Sequence, residues 1–348
     1  MTCFRRNPGS SATSHIPAPR RRGTVLRVFA ASLAAAAVGT LGMTGPARAE
    51  VFPSKPVAMI VPYPAGGATD VIARATAEKL GSAWKQPVIV ENRAGAGTTI
   101  GAASVARAAG DGYTLFMTTS AHTISGHIYG KLSYDPINDF APITLITKVP
   151  LVLVVNPAVP ARTLAEFLAY LKTDGARVNF ASPGKGTAQH LSGELFKIAT
   201  GSAITHIPYR GDAPAFTDLA GGQVQMMLAT ITSALPLIHS GKLRALAVAN
   251  GKRVKALADV PTFGEAGMPG FEAATWFGLL APASIDPALQ ARIYKDVAAV
   301  VDTQEMRKRI EDLGGDVMNS TPQAFAAFMK EEEAKWGKAV QASGMTAQ

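Results

Sequence analysis

From residue 57 to residue 249, short apolar runs alternate with segments of helical period, and this alternation limits what the chain can fold into. Val57–Val61, Val88–Val90 and Tyr113–Thr119 are strand-length runs in the first stretch. Between them lie a helical segment with Ile72, Ala75, Thr76 and Leu80 on one face, and a second helix expected over Ile100–Ala109. The pattern resumes at Leu151–Val155, with Leu164, Phe167, Leu168 and Leu171 spaced as one helix face behind Thr163. Strands Val178–Ala181, Ile204–Tyr209, Val224–Ala229 and Leu243–Ala249 follow, separated by helices Thr187–Ala199, Ala213–Ala220 and Ser233–His239. Strands alternating with helices imply βαβ units, an α/β fold and a parallel sheet. After the Gly- and Pro-rich stretch from Pro261 to Gly270, Thr275–Ala281 is a late strand. Residues 287–301, 305–313 and 322–342 read as helices.

The net charge of +9 points first to a nucleic-acid partner, but its location argues otherwise. Residues 1–49 hold seven arginines and no lysine or acidic residue. The remainder has 27 basic against 25 acidic residues, a net +2. The basic balance belongs almost entirely to the N-terminus, so the nucleic-acid reading loses its main support. Arg20, Arg21, Arg22 and Arg27 instead precede the uncharged Ala- and Leu-rich stretch from Val28 to Ala47. Ala47-Arg48-Ala49 then forms a small-x-small cleavage site, so residues 1–49 read as a signal peptide cleaved after Ala49. The pattern serves either the general or the twin-arginine export route. Cys3, the only cysteine, lies in that segment, so the mature chain has no thiolate chemistry and no cysteine-based zinc site.

Three loops stand at strand ends where helices begin, the usual ligand position in open α/β sheets. Helix N-termini there present unpaired N–H groups and a partial positive charge suited to small anions. Tyr63–Asp70 carries adjacent glycines, Ser182–His190 carries two hydroxyls and Lys185, and Tyr209–Asp212 leads straight into a helix. Each charge-assisted hydrogen bond to a carboxylate is worth about 1.5–3 kcal/mol. The competing reading of each loop is an ordinary turn with its cap. For Asp70 that means capping its own helix.

Other motifs fall away. Gly95-x-Gly97-x-x-x-Gly101 is one residue too long for a dinucleotide fingerprint and reads as a tight turn into a helix. The six histidines form no HExxH or comparable ligand pair, and no G-x-S-x-G elbow occurs, so no metal, cofactor or catalytic nucleophile is expected. Trp276 reads as core and Glu331-Glu332-Glu333 as a solvated helix face.

Ten segments in order carry a family resemblance: PVAMIVPYPAGGATDVIAR, VIVENRAGAGTTIGA, DGYTLFMTTSAHTI, YDPINDFAPIT, SPGKGTAQHLSGELF, YRGDAPAFTDLAGGQV, GKLRALAV, DVPTFGEAGMPGFE, WFGLLAP and STPQAFAAFM. From about Phe52 to Gly344 the chain resembles the Bug-type periplasmic solute-binding receptors of tripartite tricarboxylate transporters. The resemblance implies a two-domain type II periplasmic-binding-protein fold with a ligand cleft. One domain would join residues 51–149 to 275–348, and the other would span 150–274, with hinges near Val149-Pro150 and Ala274-Thr275. It implies capture of a small carboxylate by domain closure, delivery to the membrane subunits of such a transporter, a monomer in the periplasm, and no catalysis. Carried onto matching positions, it nominates Tyr63, Ala65, Gly67, Ala68, Asp70, Ser120, Ala121, Ser182, Gly186, Thr187, His190, Tyr209 and Asp212 as ligand-binding residues. Two positions depart from the pattern. Ala229 and Thr230 stand where many members have an acidic residue, and Asp212 stands where a small residue is frequent. Asp212 either restores a contact to a ligand ammonium or repels a dicarboxylate. A periplasmic sensor that signals to a membrane kinase would share every one of these residues, and a secreted α/β enzyme is the more distant alternative.

Overall fold

The computed structural model describes residues 52–342; the expected signal peptide and its cleavage site lie outside them. Ten strands form one connected sheet in the order β2-β1-β3-β9-β4-β7-β5-β6, with β8 and β10 added alongside β4. The expected βαβ units are present. β1 (Val57–Val61) pairs in parallel with β2 (Val88–Asn92) and β3 (Thr114–Thr119). β5 (Asn179–Ser182) pairs in parallel with β6 (Thr205–Pro208) and β7 (Met226–Thr230).

The sheet is mixed rather than wholly parallel, because two long strands run antiparallel through its middle. β4 is a 16-residue strand, Phe140–Val155, of which only the last five residues are legible as strand in the sequence. Pro142, Lys148 and Pro150 interrupt its apolar pattern. The structure accommodates them with register shifts near Pro142 and Leu145. Residues 140–150 of β4 pair with β9 (Ala274–Pro282), whereas residues 151–155 pair with β7 on one edge and β8 (Arg244–Val248) on the other. The strand thus changes partners at Pro150, opposite Ala274.

Helix α1 (Ala68–Trp84) buries Ile72, Ala75, Thr76 and Leu80, the face read from their spacing. Its N-cap is Gly67, which makes no side-chain cap. α4 (Leu164–Asp174) is capped by Thr163, whose hydroxyl accepts from the Glu166 N–H, while the Glu166 carboxylate accepts from the N–H of Arg162, just before the cap. The sequence reading missed α3 (Ser120–Ile128), where Ser120, Thr123 and Ser125 hide the helical period. One core cluster contains residues from both strand groups, including Val57, Leu115, Phe216 and Met227. A smaller cluster joins α3, α5 (Ala188–Thr200) and α10 (Pro322–Ala342) through Ile128, Leu191 and Trp336.

Trp276 is core, as its position implied, but the acidic run on α10 is not simply a solvated face. Glu332 is buried and accepts hydrogen bonds from the Trp276 indole at 3.1 Å, the Trp336 indole at 2.7 Å and Lys335 at 3.0 Å. Its carboxylate ties α10 to β9, and removing it strands two buried indole donors. Glu332→Ala is therefore expected to destabilise the protein by about 1–3 kcal/mol. An unchanged midpoint in urea denaturation would show the carboxylate to be dispensable.

Candidate ligand-binding site

The loop from β1 to α1 turns at Gly66, with φ of +88°, and delivers Gly67 as the uncapped start of a 17-residue helix. Asp70 does not face open space. Its oxygens accept from the Gly66 N–H at 3.0 Å, from Arg74 twice at 2.9 Å and from Asn92 at 2.9 Å. Burial pushes its carboxyl up, but the Arg74, Gly66 and Asn92 hydrogen bonds outweigh that and hold it below the usual carboxylate range. The residue knits the loop to α1 and β2. Ala65 is exposed on the same loop.

The Ala68 N–H is met from across the molecule. Asp212, the first residue of α6 (Asp212–Ala220), accepts from it through Oδ2 at 3.2 Å. The other oxygen, Oδ1, is buried without a hydrogen-bond partner. Burial raises the Asp212 carboxyl, an effect partly offset by the Ala68 N–H and by the Ser233 hydroxyl beside it. That hydroxyl is directed at the Thr230 carbonyl at 3.2 Å.

At the start of α3, the Thr119 hydroxyl accepts from the Ala121 N–H at 3.3 Å and lies 3.4 Å from the Tyr63 hydroxyl. The Ser120 hydroxyl is buried against that of Thr275 at 2.9 Å. Neither Ser120 nor Ala121 is exposed.

The loop from β5 to α5 is held by its own polar groups. Thr187 caps α5 by accepting from the His190 N–H at 3.3 Å and donates to the Gly184 carbonyl at 2.8 Å. The Ser182 hydroxyl pairs with His206 Nε2 at 2.7 Å and accepts from the Gly184 N–H at 3.2 Å. The Gly186 N–H donates to His190 Nδ1 at 3.2 Å, which requires that nitrogen to be unprotonated. The His190 and His206 rings stack at 3.8 Å. Burial, reinforced by the Lys185 charge, lowers His190 to about 4. Burial, then His190 and the Lys185 and Lys197 charges, lower His206 to about 3.

These loops surround a cavity of about 620 Å³. Of the thirteen nominated residues, Tyr63, Thr187 and Tyr209 line it. Gly67, Ala68 and Asp212 meet one another beside it, and Ser182, Gly186 and His190 support the loop that carries Thr187. The Tyr209 hydroxyl donates to Asp218 of α6 at 2.7 Å. Burial, then that contact, push the phenol up to about 12.

Two parts of the lining escaped the sequence reading: the Ala94–Thr98 loop, which forms one wall, and Tyr129. Lys185, Arg210 and Gly211 also line the cavity, from loops the sequence singled out as anion-binding candidates. The glycine pattern at 95–101 was a signal, read only as a turn. Ala96 and Thr98 adopt positive φ, a strained conformation that clusters at functional sites. A Cβ on Gly97 would overlap the Tyr129 ring, so only glycine lets this wall close. The Tyr129 hydroxyl in turn donates to the Lys185 carbonyl at 3.2 Å.

The buried histidines give the site a pH dependence of known sign. A folded state with histidines at about 4 and 3 binds fewer protons than the unfolded chain once pH falls below about 6.5. Their contribution is fully present above that pH and is lost as pH falls toward the folded-state values. The melting temperature is expected to drop steadily from pH 6.5 to pH 4, and less steeply in His206→Gln. Equal slopes for the two proteins would remove His206 as a source of the acid sensitivity.

Residues 72–345 match the model of the tripartite tricarboxylate transporter family receptor. Protein BugT of Bordetella pertussis is 36% identical over 309 residues, spanning 88% of this chain and 95% of that protein. Rpa4515 of R. palustris, solved with adipate, superposes with a TM-score of 0.83 at 32% identity, covering 85% of this chain and all of that one. The periplasmic binding protein BugD matches at 0.82 and 35% over 85% of this chain and all of that one. MatC from Rhodopseudomonas palustris, solved with bound malate, matches at 0.78 and 34% over 83% of this chain and all of that one. The fold is that of periplasmic binding proteins, and the chain belongs to the tripartite tricarboxylate transporter receptor family.

Proposed function

We propose that the protein is a periplasmic receptor that captures a small carboxylate in this cavity and presents it to the membrane subunits of a tripartite tricarboxylate-type transporter. The observation that carries the reading is the cavity itself, whose walls come from helix-opening loops of both strand groups. Such loops offer backbone N–H groups and positive helix ends to an anion. Lys185 and Arg210 add positive charge at the wall formed by residues 183–187 and 208–211. Adipate in Rpa4515 and malate in MatC are ligands of the expected class.

The capture step is closure of two halves, residues 51–149 with 275–348 against 150–274. The partner change of β4 at Pro150 opposite Ala274 supports hinges at these two crossings. Three contacts between the halves support a closed arrangement: Asp212 to the Ala68 N–H, Tyr129 to the Lys185 carbonyl, and the Gly211 backbone against Pro64.

A melting-temperature screen against mono-, di- and tricarboxylates tests the reading, because a ligand that binds only the folded state raises the midpoint. A shift with at least one acid is expected; no shift with any of them would defeat the carboxylate assignment. Thr187→Val removes the α5 cap and a hydroxyl on the cavity wall. Affinity for the acid that binds is expected to fall by about 1–3 kcal/mol, read by titration calorimetry. Undiminished affinity would take Thr187 out of the site.

A further inference from the structure

The N-terminus of α1 is an anion site already filled by the protein itself. Asp212 reaches it from the other half of the molecule and accepts the Ala68 N–H at 3.2 Å. The same oxygen lies 3.0 Å from where a Cβ on Gly67 would stand, so the carboxylate closes over the helix end that Gly67 leaves uncapped. Oδ1 is buried and has no donor to share. The Ser233 hydroxyl beside this carboxyl donates to the Thr230 carbonyl at 3.2 Å.

A second carboxylate placed here would find the Ala68 N–H already taken by Asp212, whose ionised form repels it. The cavity next to this contact is of another character. The rings of Tyr63, Tyr129 and Tyr209 line it, and its charged lining residues are the cations Lys185 and Arg210. The Tyr209 hydroxyl is already engaged by Asp218 at 2.7 Å.

We propose that Asp212 is a specificity-determining residue that occupies one of two anion subsites, so that the receptor takes carboxylates with a single anionic end and a neutral, largely apolar body and rejects dicarboxylates. The proposal rests on the carboxylate reading of the cavity and narrows it. The ligand's one carboxylate is held on the Lys185 and Arg210 side, its body lies against the tyrosine rings, and the α1 helix end stays with Asp212.

Titration calorimetry with two matched pairs, hexanoate against adipate and benzoate against terephthalate, tests this on the purified protein. The monoacid is expected to bind at least about tenfold more tightly than the diacid of the same skeleton, a difference of about 1.4 kcal/mol. In Asp212→Ser, which empties the subsite, that ratio is expected to shift about tenfold toward the diacid. Should the serine variant fail to fold, Asp212→Asn carries the test; it keeps an acceptor for Ala68 and drops the charge, and its ratio is expected to shift the same way. Diacids that bind the unaltered protein as tightly as monoacids, or a ratio that neither variant moves, would overturn the proposal and leave the carboxylate reading standing. If none of the four acids binds any of the proteins, the proposal falls, and the carboxylate reading is decided by the wider melting-temperature screen.

Discussion

Every N–H and C=O of a buried strand must find a partner, and β4 has to do so over sixteen residues. No single βαβ unit offers edges that long. The strand takes β9 along its first part, then β7 and β8 along its last five residues. This change of partners carries the chain from one group of parallel strands to the other without a loop. It also sets loops that open helices in both groups around one cavity: 62–64 and 94–98 from the first, and 183–187 and 208–211 from the second.

The cavity walls are stabilised mostly by polar contacts inside the loops themselves. Thr187, Ser182 and His190 satisfy one another's loop amides and carbonyls, and Asp70 does the same for the first loop with Arg74 and Asn92. Such residues are legible as loop chemistry but not as wall or support, since a hydroxyl that caps a helix and one that faces a ligand look alike in a sequence. Burial of uncharged histidines behind the Thr187 loop makes that support sensitive to acid, because a protonated His190 can no longer accept the Gly186 N–H.

Much of the architecture was readable from spacing. The buried face of α1, the Thr163 cap and the strand–helix alternation all follow from local pattern, because helices and parallel strands impose periods of 3.6 and 2 on their side chains. α3 and the first part of β4 were not, since Ser and Thr mask the period of one and two prolines break that of the other. Glu332 looked solvated among three glutamates and is instead held by two tryptophan indoles, one of them 56 residues away in β9. The 94–98 loop looked like a mere turn, and its backbone strain became visible only with its dihedral angles.

By itself, the sequence determined the succession of elements, the glycine-bearing loops that open helices, and the family to which those loops compare. Tertiary structure decided which of the exposed amides remain available. Ala68 and Asp212 are 144 positions apart, and no local period relates them. Only the strand order and the packing of the helices against it bring that carboxylate to the start of α1. Long-range contacts of this kind depend on the whole fold, whereas caps, turns and amphipathic faces are settled within a few residues of chain.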